Sequence, residues 1–152
     1  MEYSNYDRDF INMSKTILTE NDLKIINSDF YFDLINDKYP FMGNRIDFKK
    51  LNNNKYYKLD DTNVLNEASK IILNIINENN LNTEERIVYI GDSLTEQAYE
   101  FKLKNLVILL PFILDIPQHH YFIPQNFAWC LTISFENDLE FGVLGGRGVP
   151  CK

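Results

Sequence analysis

The apolar run Arg86-Ile87-Val88-Tyr89-Ile90 leads straight into Gly91-Asp92-Ser93-Leu94-Thr95. A serine in the turn after a short strand is where many hydrolases expose a nucleophile. The chemistry would be acyl transfer. It needs a base to take the hydroxyl proton and a set of donors for the oxyanion. The chain has two histidines, His119 and His120, four and five residues after Asp115. Neighbours in a strand point to opposite faces, so these two cannot chelate one metal together. Each is expected to be a single solvent-facing or hydrogen-bonded histidine.

The same letters resemble the nucleophile block of GDSL (SGNH) esterases and lipases. In that family the serine lies near the start of the domain, and D-x-x-H near its end supplies the base. Here too little sequence follows Ser93 for the rest of that fold, D-x-x-H is absent, and Thr95 leads to Glu96 and Gln97 where a glycine is usual. The spacing Ser93-Leu94-Thr95-Glu96 also fits S-x-x-E, in which a serine caps a helix and the glutamate reaches back. That reading predicts a helix with Leu94, Ala98 and Phe101 on one face, a Glu100–Lys104 pair, and an end at Asn105. Ser93 is therefore expected to start a helix. Asp60 or Asp61 is expected to cap another helix rather than bind a metal. No catalytic, cofactor-binding or metal-binding residue is assigned. The alternatives are a small GDSL-like hydrolase using Ser93 and a generic protein-binding adaptor.

The elements that hold these residues change character midway. Phe10, Met13, Ile17 and Leu18 follow a helix face, and residues 19–22 offer a new helix start before Leu23 and Ile26. Residues 30–35 fit helix or strand. Tyr39-Pro40 ends that region, because a residue before proline avoids helical geometry. Residues 40–60 read as loop. Leu65, Ala68, Ile72 and Ile75 or Ile76 form a helical stripe. After that, residues 86–90 read as a strand and 106–110 as another, buried on both faces. In Phe127-Ala128-Trp129-Cys130-Leu131-Thr132-Ile133-Ser134-Phe135, Trp129, Leu131, Ile133 and Phe135 share one side. Leu139, Phe141 and Val143 alternate next. Pairing Phe135 with Leu139 leaves Glu136, Asn137 and Asp138 as a three-residue hairpin loop. Tyr121 and Ile123 suggest a third strand before Pro124. The expected fold is α+β: N-terminal helices packed on one side of a mainly antiparallel C-terminal sheet. Residues 1–144 would form one domain, and 145–152 a flexible tail.

Composition agrees with one globular domain: 152 residues, 45% hydrophobic and 14% aromatic. The N-terminal segment lacks a basic start and an apolar centre, and no run approaches the length of a membrane helix. Cys130 and Cys151 make no disulfide framework, so a cytoplasmic, reduced protein without cofactor is expected. The net charge is −7, from 15 basic and 22 acidic residues. That disfavours direct nucleic-acid binding and admits a basic protein partner. Between Lys104 and Arg147 no lysine or arginine occurs, while Asp115, Glu136, Asp138 and Glu140 do.

The stretch 119–142 carries Tyr121-Phe122, Trp129-Cys130, an acidic turn at 136–138 and Phe141-Gly142. It resembles the C-terminal part of bacterial immunity proteins of contact-dependent inhibition and related polymorphic toxin systems. The resemblance implies a protein that binds and neutralises a cognate toxin domain, typically a basic nuclease, and carries over no catalytic residue. Glu136, Asp138, Glu140 and Asp115 are the candidate partner-binding residues.

Overall fold

Aromatic and branched residues alternate through residues 129–133 and 138–143, and in the computed structural model, which describes residues 4–144, these segments belong to one sheet. Its strands are β1 (Lys24–Asn27), β4 (Asn52–Lys58), β5 (Arg86–Gly91), β6 (Gln97–Lys102), β7 (His120–Pro124), β8 (Trp129–Ile133) and β9 (Asp138–Val143). Their spatial order is β1-β6-β5-β7-β8-β9-β4, with every pairing antiparallel. The helices are α1 (Asn5–Ser14), α2 (Ser28–Lys38), α3 (Val64–Glu78) and α4 (Leu106–Leu114). A small hairpin of β2 (Phe41–Met42) and β3 (Arg45–Ile46) stands apart from the main sheet. The chain is an α+β protein.

Register explains the core. Tyr99, Tyr89, Phe122, Leu131 and Phe141 are cross-strand partners in one row. All five are buried, on the face that takes α1, α3 and α4. Phe10 of α1 sits edge-on to Tyr99 at 4.7 Å between ring centres, a geometry that suits aromatic quadrupoles. The other face is covered as well. Ile35 of α2 and Tyr39 pack there with Val88, Ile90, Tyr121 and Cys130, and the Tyr39 hydroxyl donates to the Trp129 carbonyl at 2.6 Å. Helices thus lie on both sides of the sheet, not on one.

Several local expectations change. Residues 97–102 are a strand, not a helix, so Ser93 caps nothing and Glu100 pairs with Arg86, not Lys104. Tyr99 and Phe101 face one core while Ala98 and Glu100 face the other side. Burial on both faces hides the period-two pattern. Conversely, residues 106–110 belong to α4, where Leu106, Leu109, Leu110 and Ile113 are buried at helical spacing and Pro111 lies exposed. Residues 19–22 close a capping box, yet only a 3-10 turn follows before β1. In α1, Phe10 points inward but Met13 is exposed, with Asp7, Ile11 and Ser14 completing the buried face. Asn63, not Asp60 or Asp61, occupies the N-cap position of α3. Within 40–60, β4 was hidden because it is a polar edge strand, and lysines at an edge discourage further pairing.

The β8–β9 hairpin has the expected loop length but lies one residue earlier. Ile133 pairs with Leu139, Ser134 N–H donates to the Asp138 carbonyl, and the loop is 135–137 with Asn137 at φ 69°. Inward and outward faces are unchanged by that shift, except that Phe135 leaves the strand and becomes 60% exposed. The expectation for residues 145–152 and Cys151 lies outside the described residues.

Trp129 is 3% exposed beside Phe141, and its indole N–H has no partner among the described residues. Trp129→Ala should cost about 3–5 kcal/mol, measured as a shift in urea midpoint at constant slope. Trp129→Phe should cost much less, since no hydrogen bond is lost. Native tryptophan emission that is red-shifted and readily quenched would contradict this placement.

Candidate functional site

Ser93 lies exposed in the connection 92–96 between β5 and β6, two central strands. A turn at the end of a buried sheet leaves several amides that need acceptors. Gln118 Oε1 takes three of them, from Ser93 at 3.2 Å, Leu94 at 2.7 Å and Thr95 at 3.2 Å. Asp7, fully buried in α1, takes the next two, from Glu96 at 2.7 Å and Gln97 at 3.3 Å, and accepts the Tyr99 hydroxyl as well. The amides that an oxyanion would need beside Ser93 are therefore already bonded. The depression around Ser93 is lined by Asn27, Asp29, Phe32 and Glu96 among others, with no histidine, lysine or arginine among its described residues.

Gln118 Nε2 donates to the Tyr89 hydroxyl at 3.1 Å and to Thr95 Oγ1 at 3.0 Å. The Tyr89 hydroxyl also hydrogen-bonds His120 Nδ1, 2.7 Å away. His120 is 3% exposed and neutral: burial, with a smaller effect of neighbouring His119, lowers its pKa to about 3. His119 points elsewhere, half-buried, and its Nδ1 accepts the Phe135 N–H at 2.9 Å. The two rings do not converge, and no metal-type cluster of histidine, cysteine and carboxylates occurs among the described residues.

The structure gathers three of the four acidic candidates and separates the fourth. Glu136, Asp138 and Glu140 lie along the β8–β9 hairpin, but the span that looked free of bases meets cations from the first half of the chain. Arg45 Nη2 is 3.4 Å from Glu136, and Lys58 Nζ is 3.6 Å from Asp138. Such exposed pairs contribute little to stability, yet they offset the local charge. Glu140 has no ion pair among the described residues. Its carboxyl is pushed up chiefly by burial, against a smaller opposing effect of Arg45. Asp115 follows α4, on the other side of the hairpin tip, in an open groove of about 450 Å³ shared with Leu65, Pro111, Pro117 and Phe135. A neighbouring groove joins it at Asp115 and Ile116 and carries Tyr6, Asp9 and Met13. Neither groove has a lysine or arginine among its described lining residues.

Sequence reasoning missed the residues opposite Glu140. Tyr121, Thr132 and Glu140 are successive cross-strand partners, so they form one row on the α2 side of the sheet. Arg45 of β3 and Asp92 border the same small cavity of about 60 Å³. Tyr121 was marked as a strand residue, but nothing local links it to Arg45, some eighty positions away; only sheet register brings them together. No helix among the described residues is long and apolar enough to cross a membrane. No sequence family and no curated protein matches this chain.

Two outcomes follow from the Gln118 network. Gln118→Ala leaves three amides without an acceptor and should destabilise by about 3 kcal/mol or more, whereas Ser93→Ala should stay within about 0.5 kcal/mol. Denaturation midpoints that rank the two variants in the opposite order would overturn this account. For His120, the unfolded chain takes up a proton near pH 6.5 that the folded protein refuses until about pH 3. Stability should therefore fall as pH drops through that window, by about 1.4 kcal/mol per unit. Glu85 and Glu140, raised by burial, act in the opposite sense over their own range. The difference between wild type and His120→Gln isolates the histidine, and parallel stability curves from pH 6.5 downward would refute its role.

Proposed function

We propose that this is an immunity protein, which binds a cognate basic toxin domain in the cytoplasm and keeps it from its substrate. One observation carries the proposal: Phe135, at the tip of the β8–β9 hairpin, projects 60% exposed at the edge of an apolar groove that holds Asp115 and no basic residue among the described ones. Leu65, 40% exposed, lines the same groove. An exposed aromatic beside apolar neighbours is the kind of anchor that dominates protein interfaces. Carboxylates around it steer and select a positive partner. The net charge of −7 acts in the same direction at longer range. The earlier resemblance of residues 119–142 to immunity proteins includes this hairpin. Serine hydrolysis finds less support, since the amides near Ser93 are bonded to Gln118.

The test is to co-produce the chain with candidate basic toxin domains, drawn from genes neighbouring its own, scoring cell survival and then titrating any purified pair. Wild type should protect and bind. Phe135→Ala should weaken binding by about 2 kcal/mol, roughly thirtyfold, mainly through faster dissociation. Asp115→Lys should slow association, most at low salt. Absence of both binding and protection by wild type removes the immunity reading. Protection with unaltered affinity in both variants moves the interface to another face.

A further inference from the structure

On the other side of the hairpin tip from Phe135, the cavity beneath β2–β3 holds a set of polar groups that the fold itself does not use. Tyr121 is only 8% exposed, and its ring packs edge-on against Phe32 at 6.0 Å. Its hydroxyl hydrogen-bonds to no described residue, which is uncommon for a tyrosine so deeply placed. Tyr121 borders the cavity, and the charges its hydroxyl feels include Asp92 and Arg45, both on the same wall. The hydroxyl therefore opens into the cavity. Next in the row come the Thr132 hydroxyl and the Glu140 carboxylate, neither bonded to a described residue through its side chain. Asp92 has one carboxylate oxygen on the His119 amide at 3.0 Å, which leaves the other available.

The charge around this cavity is unbalanced. Arg45 is the single lysine or arginine among its described lining residues; its half-exposed guanidinium is paired with Glu136, and its charge also reaches Tyr121 and Glu140 without forming an ion pair there. Two carboxylates and two hydroxyls thus face a space of about 60 Å³, enough for several waters. A partly buried carboxylate whose neighbouring cation is already paired elsewhere is costly, and a donor-rich cation entering the cavity would offset that cost. Guanidinium suits the space better than ammonium: it is planar, weakly hydrated, and presents several donors in one plane to acceptors spread along a strand row.

We infer that this cavity is a receptor for one arginine side chain of the protein partner, with Glu140 as its counter-ion and the Tyr121 and Thr132 hydroxyls as acceptors. The inference rests on the binding role proposed above and adds to it the chemistry of one contact. Ser134 borders both the cavity and the Phe135 groove, so one partner surface can reach both.

The experiment titrates the isotopically labelled full chain with N-acetyl-arginine amide, followed by amide resonances. N-acetyl-lysine amide and N-acetyl-citrulline amide, the neutral isostere of arginine, are the comparators. The arginine compound should give saturable shifts at Thr132, Ser134 and Glu140 in the millimolar range. Citrulline should bind about tenfold more weakly or worse, because the charge assistance is lost. Glu140→Gln should abolish the difference between arginine and citrulline, and Tyr121→Phe should weaken arginine alone, both with otherwise retained spectra. Equal binding of citrulline, stronger binding of lysine, or shifts indifferent to Glu140→Gln would each overturn the inference, as would no saturable shift. If the titration fails while wild type still protects cells, the cavity assignment falls and the immunity role stands. If arginine binds but wild type neither binds nor neutralises the toxin, the arginine site stands without that partner.

Discussion

Five consecutive backbone amides, 93–97, carry the chain from β5 into β6, and the side chains of Gln118 and Asp7 accept all five. Much of the architecture is organised around meeting that demand. Gln118 lies so close over the end of β5 that a Cβ at Gly91 would stand 1.7 Å from its Nε2. The amide cannot swing aside, because both of its ends are already bonded, so glycine is required there by close approach. Asp7 brings the demand to α1: its buried carboxylate, with no ion pair among the described residues, is held by two amides and the hydroxyls of Tyr99 and Ser4. Charge buried in this way is tolerable only when every lone pair has a donor, which ties the position of α1 to the loop.

The network continues through Tyr89 into His120, a histidine that burial keeps neutral in the core. Catalytic-looking letters are thereby put to structural use. A serine beside free amides, a histidine and a buried carboxylate could be parts of a hydrolase. Here the amides are saturated, the histidine bonds to a tyrosine, and the carboxylate holds a helix against the sheet. Around the β8–β9 hairpin, by contrast, Phe135 stands clear of the core and Glu140 has no ion pair among the described residues.

How much of this was legible depended on whether the cause was local. Trp129, Leu131 and Ile133 alternate against Cys130 and Thr132, so their strand and its inward face could be read, as could the three-residue turn that follows. The α3 stripe of Ala68, Ile72 and Ile75 was equally plain. The segment 97–102 failed for a physical reason: a strand buried on both faces shows no alternation, and the S-x-x-E letters before it mark orphan amides without saying whether a helix or a distant side chain will satisfy them. In α4 the positions 106, 109, 110 and 113 did carry helical spacing, masked by an apolar run that reads equally well as a buried strand.

The sequence by itself determined the α+β class, the antiparallel strands β7, β8 and β9, the burial of Trp129 and the acidic balance of the chain. Each of these follows from neighbours within a few residues or from composition. Tertiary structure alone decided which charges remain free. Arg45 and Lys58 arrive from far upstream to face Glu136 and Asp138, while Glu140, two residues on, has no ion pair among the described residues and faces Tyr121 across Thr132. Coulombic and hydrogen-bond partnerships depend on distance in space, and in an antiparallel sheet that distance is set by register between strands whose sequence separation carries no trace of it.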